Sequence, residues 1–140
     1  MTRASLMIVL ALIAIPTVAI AVADPRRDAI LADLSTEAMT VDSAFAGFDA
    51  VRGKTFWFAS QTGGKPDTPS CTTCHTKDPK AAGQTRAGKD IKPMAVSKTP
   101  DRFTDPEKIA KWFLRNCKTV LGRECTAGEK GDVITFLANQ

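Results

Sequence analysis

The chain has 140 residues, 44% of them hydrophobic and 24% charged, which excludes disordered and fibrous classes and makes one compact domain the natural upper limit. Lys and Arg outnumber Asp and Glu by 19 to 15, with no basic run dense enough to point to nucleic acid. A Ser-His-Asp triad or a two-histidine metal site has a single imidazole to draw on, so the chemistry is built around that residue or comes from a cofactor.

Residues 1–23 read as a signal peptide. Arg3 is a minimal positive n-region, Leu6 to Ala19 is almost wholly apolar, and Ala21-Val22-Ala23 is a small-x-small cleavage site. An uncleaved anchor is the competing reading, because the apolar run could just span a bilayer; Pro16 and the Ala-x-Ala site weigh against it. Cleavage after Ala23 leaves residues 24–140 as one exported, periplasmic domain with no membrane span. Its cysteines then meet an oxidising or haem-attaching compartment.

Along that domain the pattern is mostly helical. Asp24-Pro25 offers an N-cap and an N1 proline, and Ile30, Leu31, Leu34, Ala38 and Val41 recur at helical spacing. A second helical segment begins near Phe48 and runs through Val51, Arg52-Gly53-Lys54 and Phe56-Trp57-Phe58. Gln61 to Ser70, rich in Gly, Pro and Ser/Thr, reads as loop. From Asp78 to Pro100 the chain is polar, lysine-rich and broken by Pro79, Pro93 and Pro100, with no sustained period. Two helices close the chain, each with a capping-box pattern: Thr104-Asp105-Pro106-Glu107 and Thr126-Ala127-Gly128-Glu129. No strand alternation is evident. A loop as long as 78–100 counts against the assignment unless something organises it, and small domains commonly rely on a staple, a metal or a cofactor.

Cys71-Thr72-Thr73-Cys74-His75 is the C-x-x-C-H of c-type haem attachment. Thiols at i and i+3 on a short helix reach both vinyl groups of one porphyrin, and the adjacent imidazole falls under the iron as proximal ligand. His75 is expected to bind iron through Nε2 while Nδ1–H donates to a nearby carbonyl. A thioredoxin-like dithiol is the alternative, but it lacks its βαβ context. The remaining pair, Cys117 and Cys125, could be free buried thiols, complete a four-cysteine zinc site with Cys71 and Cys74, or form a disulfide. Zinc would leave His75 unused and suits a reducing compartment better.

Two side chains compete for the position opposite His75. Met94, in Lys92-Pro93-Met94, could present a thioether from a loop, or could simply pack against the porphyrin. Asn116 follows Ile109, Trp112 and Phe113 at i+7 and is expected on the same apolar stripe, where a buried amide must find a partner or cost about 1–3 kcal/mol. It could equally be a C-terminal helix cap.

From about Phe48 onward the chain resembles the asparagine-ligated class I cytochromes c of the sphaeroides haem protein type. The resemblance is carried by Arg52-Gly53, by Thr62 to Ser70 running into Cys71–His75, and by Gly83 to Lys89. It continues through Thr99 to Asp105, Arg115-Asn116-Cys117, and Gly122 to Thr126. It implies an all-α fold, the small class I cytochrome c fold with helices packed around one covalent haem c. It also implies Asn116 as the sixth iron ligand, Met94 as a packing residue and a Cys117–Cys125 disulfide. Before Phe48 the resemblance weakens, and the first helix rests on its own periodicity.

An amide oxygen is a hard, weak, neutral donor that suits Fe(III) better than Fe(II). Reduction is therefore expected to free the sixth position for O2 or NO. A Met94 thioether, or a permanently bound Asn116, would instead give a plain electron shuttle. The resemblance leaves oxygenase-type turnover of NO open, and it implies electron exchange with a di-haem cytochrome c and a membrane b-type cytochrome. Lys77, Lys80, Arg86, Lys89 and Lys92 would favour an acidic docking face. Arg86, Lys89 and Arg102 are the candidate donors to the haem propionates.

Overall fold

A computed structural model describes residues 23–140. The expected signal peptide over 1–23 lies, apart from Ala23, outside the described residues. Helix α1 spans Pro25–Val41; Asp24 caps it by accepting from the Arg26 amide at 2.9 Å, and Pro25 opens it where no amide partner is needed. Ile30, Leu34 and Ala38 enter the core, while Val41 is exposed, so the apolar stripe ends one turn earlier than its spacing suggests. Arg27 is buried in α1, and its guanidinium donates to the carbonyls of Pro100 at 2.8 Å and Arg102 at 3.0 and 3.1 Å. A buried charge is tolerable only when hydrogen-bonded; here it ties α1 to residues 100–102.

Helix α2 spans Ala50–Phe58, α3 is the single turn Thr72–His75, α4 spans Pro106–Leu121 and α5 spans Ala127–Ala138. Helix α5 is central. Its Ala127 and Ile134 pack with α1, and its Val133, Phe136 and Leu137 pack with Trp57 of α2. Asp132 of α5 is buried and accepts from the Asp49 amide at 2.7 Å and the Arg52 guanidinium at 2.8 and 2.9 Å, pinning the start of α2. The two helices cross at Gly53, where an added Cβ would run into the Asp132 carbonyl and lie 3.0 Å from the Phe136 Cβ. Gly53→Ala therefore forces the helices apart. We expect a loss of about 3 kcal/mol, the upper end of overpacking costs, read as a fall in the urea midpoint; an unchanged midpoint would mean the crossing can open freely.

The capping box forms at Thr126: its hydroxyl accepts from the Glu129 amide at 3.1 Å, and the Glu129 carboxylate accepts from the Thr126 amide at 2.8 Å. The one expected at Thr104 does not form. Asp105 caps α4 by accepting from the Lys108 amide at 3.1 Å, while the Thr104 hydroxyl donates to the Asp101 carbonyl. Pro106 is the reason, because proline at the first helical position puts the cap on the residue just before it. Burial pushes the Glu129 carboxyl up, but hydrogen bonds from Arg123 and Thr126 outweigh it and leave the group below its ordinary value. Stability from that cap is fully present above the ordinary Glu range and is lost as pH falls through the lowered value. The gap in urea midpoint between wild type and Glu129→Gln is accordingly expected to narrow as pH falls below the ordinary Glu range.

The 78–100 segment is more ordered than its composition suggests. Strands β1 (Gly83–Gln84) and β2 (Asp90–Ile91) pair antiparallel, Gly83 opposite Ile91. The Pro79 carbonyl accepts from the amides of Met94 at 2.9 Å and Ala95 at 2.8 Å, and the Val96 amide donates to the Leu137 carbonyl at 3.2 Å. Ala95 and Val96 are fully buried. No helix among the described residues is long and apolar enough to cross a membrane.

Candidate haem site

The C-x-x-C-H turn is held from its N-terminal side. The Ser70 hydroxyl donates to the Trp57 carbonyl at 3.3 Å and accepts from the Thr72 amide at 3.2 Å; the His75 amide donates to the Cys71 carbonyl at 3.1 Å. Residues that end α2 thus set where α3 begins. The turn stops at Thr76, whose φ is 62°. Cys71 and Cys74 are free and half-buried. Burial pushes the Cys71 thiol up to about 11, and burial together with the Arg102 charge brings His75 down to about 4. At neutral pH the site therefore offers a protonated Cys71 thiol and a neutral imidazole, the form that ligates a metal.

Trp57, a residue whose role the spacing did not reveal, packs against His75 with ring centroids 5.3 Å apart. The sequence signal for it was its place one turn after Gly53, on the face of α2 that meets α5. His75 Nδ1 is buried without a hydrogen-bond partner, so the carbonyl acceptor expected for it is not found. Met94 is half-buried and packs with Cys71, Phe103 and Phe113 on the cluster built from Trp57, Val133, Phe136 and Leu137. The residues fit haem c: two free thiols one turn apart, an adjacent neutral imidazole, and an apolar wall.

Helix α4 corrects the expected stripe at Trp112. Ile109 and Phe113 pack on the core, but Trp112 is 49% exposed, with Lys111 and Arg115 over its ring at 5.6 and 5.2 Å. Asn116 is exposed as well. The capping reading of Asn116 fails, because α4 continues to Leu121 and ends on Gly122 in the left-handed region. Cys117 and Cys125 form a disulfide with Cα atoms 5.6 Å apart. That rules out the four-cysteine zinc site, and no group of three or more His, Cys, Asp or Glu among the described residues could hold a metal ion. Of the propionate candidates, Arg86 pairs with Asp67 at 2.6 Å, Arg102 donates to the carbonyls of Pro93 and Lys92, and Lys89 is exposed.

Residues 43–137 match the model of a domain of unknown function, DUF1924, and the chain belongs to that family. Over 98 residues it is 58% identical to the cytochrome c-type protein SHP of Cereibacter sphaeroides, covering 70% of this chain and 76% of that one. The chain is an SHP-type cytochrome c. Its cofactor is haem c, and its fold is the small all-α class I type. The structure of oxidized SHP, an oxygen-binding cytochrome c, superposes on this cytochrome with a TM-score of 0.74 at 51% identity, covering 81% of this chain and 96% of that one. Cytochrome c'' of Methylophilus methylotrophus is 35% identical over 72 residues, 51% of this chain and 50% of that protein. Its oxidized crystal structure matches with a TM-score of 0.67 at 27% identity, covering 81% and 93%. A solution structure of cytochrome c'', concerned with haem-ligand detachment, matches with a TM-score of 0.69 at 26% identity, covering 83% and 94%.

Proposed function

We propose that this chain is an exported, periplasmic monohaem cytochrome c in which Cys71 and Cys74 carry the haem, His75 is the permanent axial ligand, and Asn116 is a sixth ligand that leaves on reduction. Haem c supplies an iron that changes oxidation state and can take a diatomic ligand such as O2 or NO. The observation that carries the reading is the 58% identity to SHP, whose oxidized structure is that of an oxygen-binding cytochrome c. The residues add support. The Asn116 amide oxygen is a hard, neutral donor suited to the ferric state. Once it withdraws, its NH2 group can donate a hydrogen bond to a bound diatomic. Met94 has its backbone amide tied to Pro79 and its side chain in the apolar cluster, which supports reading it as a packing residue.

Electrons arrive from redox partner proteins, a di-haem cytochrome c and a membrane b-type cytochrome among the candidates, and the exposed lysines of the 77–92 stretch favour an acidic docking face. The second reading, a plain electron shuttle with a permanent Met94 or Asn116 ligand, stays testable because Met94 touches the same cluster as Cys71. Optical spectra decide between them. We expect a six-coordinate ferric spectrum, a five-coordinate high-spin ferrous spectrum and fast CO binding; a low-spin ferrous spectrum inert to CO establishes the shuttle. The purified protein should have the mass of residues 24–140 plus one haem.

A further inference from the structure

Asn116 lies one turn before the end of α4, and the carbonyls of that end are gripped by the backbone of a loop. The loop from Gln61 to Ser70 closes on itself, the Gln61 amide donating to the Pro69 carbonyl at 2.7 Å and the Thr68 amide to the Lys65 carbonyl at 3.0 Å, with Thr68 buried. The Lys65 amide donates to the Thr119 carbonyl of α4 at 2.8 Å. Gly63 and Gly64 lie flat on the last turn. A Cβ at Gly63 would run into the Leu121 carbonyl, one at Gly64 into the carbonyls of Thr119 and Val120, and one at Gly122 into the Gly63 carbonyl. Three consecutive carbonyls of the helix end are therefore seated on a strip that only glycine can form. The disulfide from Cys117 to Cys125 holds the same turn from another side.

The same loop leads straight into Ser70, which orders the haem-attachment turn. One closed loop thus connects the haem-attachment turn to the last turn of α4.

We propose that Gly63 and Gly64 are positioning residues: their seat fixes the backbone of α4 beside Asn116, so that the ligand is released by rotation of the Asn116 side chain and not by displacement of the helix. The inference rests on the reading of Asn116 as sixth ligand. The physical reason is the contrast in what must be broken. Rotating the Asn116 side chain leaves every backbone contact of α4 intact and needs only a change of rotamer. Moving the helix end breaks the Lys65–Thr119 hydrogen bond and opens a backbone-to-backbone contact, in a region anchored by a disulfide.

Two measurements test this on the haem-loaded protein. The first is amide hydrogen exchange at Lys65 in the ferric and ferrous states. Equal protection is expected, because the seat stays closed; exchange faster by about tenfold or more in the ferrous state shows the helix end leaving and overturns the proposal. The second is the Gly64→Ala variant, with Gly128→Ala as control, since a Cβ at Gly128 meets nothing nearer than 3.8 Å. Gly64→Ala should shift the ferric spectrum toward that of Asn116→Ala, while Gly128→Ala should match wild type. A Gly64→Ala protein with a wild-type ferric spectrum overturns the proposal, and should that variant fail to accumulate, the Lys65 exchange result decides alone. Failure of the ligand reading is seen separately: Asn116→Ala would keep the wild-type ferric spectrum whatever Lys65 shows.

Discussion

Replacing Cys71 and Cys74 together by alanine is expected to abolish haem incorporation and leave little folded protein. The physical reason lies in how little else holds the middle of the chain. Helix α3 is one turn of four residues, far too short to be stable by itself. On one side it is flanked by the 61–70 loop, and on the other by a segment whose only regular structure is a pair of two-residue strands. Cys71 is also part of the apolar cluster that joins α2, α5 and Met94. In a domain this small a covalent cofactor supplies core that the side chains lack. Soluble yield, far-UV circular dichroism and the absorbance of the covalent haem are the measurements. A double variant that accumulates at wild-type level with a native helix signal would show that the fold does not depend on the cofactor. The disulfide is a lesser support: reducing Cys117–Cys125 should cost about 2–3 kcal/mol in the chain-entropy account. Both thiols should resist alkylation until they are reduced.

The second large effect concerns the sixth position. Asn116→Ala is expected to convert the ferric protein from an Asn-ligated to an open or water-ligated site and to alter its rate of gas binding. Met94→Leu should change the spectra hardly at all and cost less than about 1.5 kcal/mol, the usual range for a volume-conserving apolar swap. The pair is informative because the two variants exchange roles if the assignment is wrong. A thioether–iron charge-transfer band, lost in Met94→Leu and kept in Asn116→Ala, would make Met94 the ligand and the protein a shuttle.

Much of this is legible in the linear sequence. Local chemistry leaves local signatures: Asp24-Pro25 for the start of α1, Thr126 and Glu129 for the start of α5, and C-x-x-C-H for the cofactor are all complete within a few residues. The resemblance from Phe48 onward supplied the class of cytochrome and pointed to Asn116. Features whose partners are distant in sequence were not legible. Arg27 looks like one more surface cation until residues 100–102 come back to take its guanidinium. The 78–100 segment has no period because its order comes from single backbone hydrogen bonds to Pro79 and Leu137, which any side chain permits. The stripe expected on α4 was too wide at Trp112, because periodicity states which residues share a face and not how much of that face another element covers. Ile109 and Phe113 are covered; Trp112 is not. So the sequence by itself determined the cofactor class, the helical segments and the candidate ligands, each a matter of residue type at short spacing. Only the tertiary structure decided that Asn116 is no helix cap, that Trp57 lies against His75, and that a glycine strip seats the end of α4, because each of these depends on contacts between segments that the linear order keeps apart.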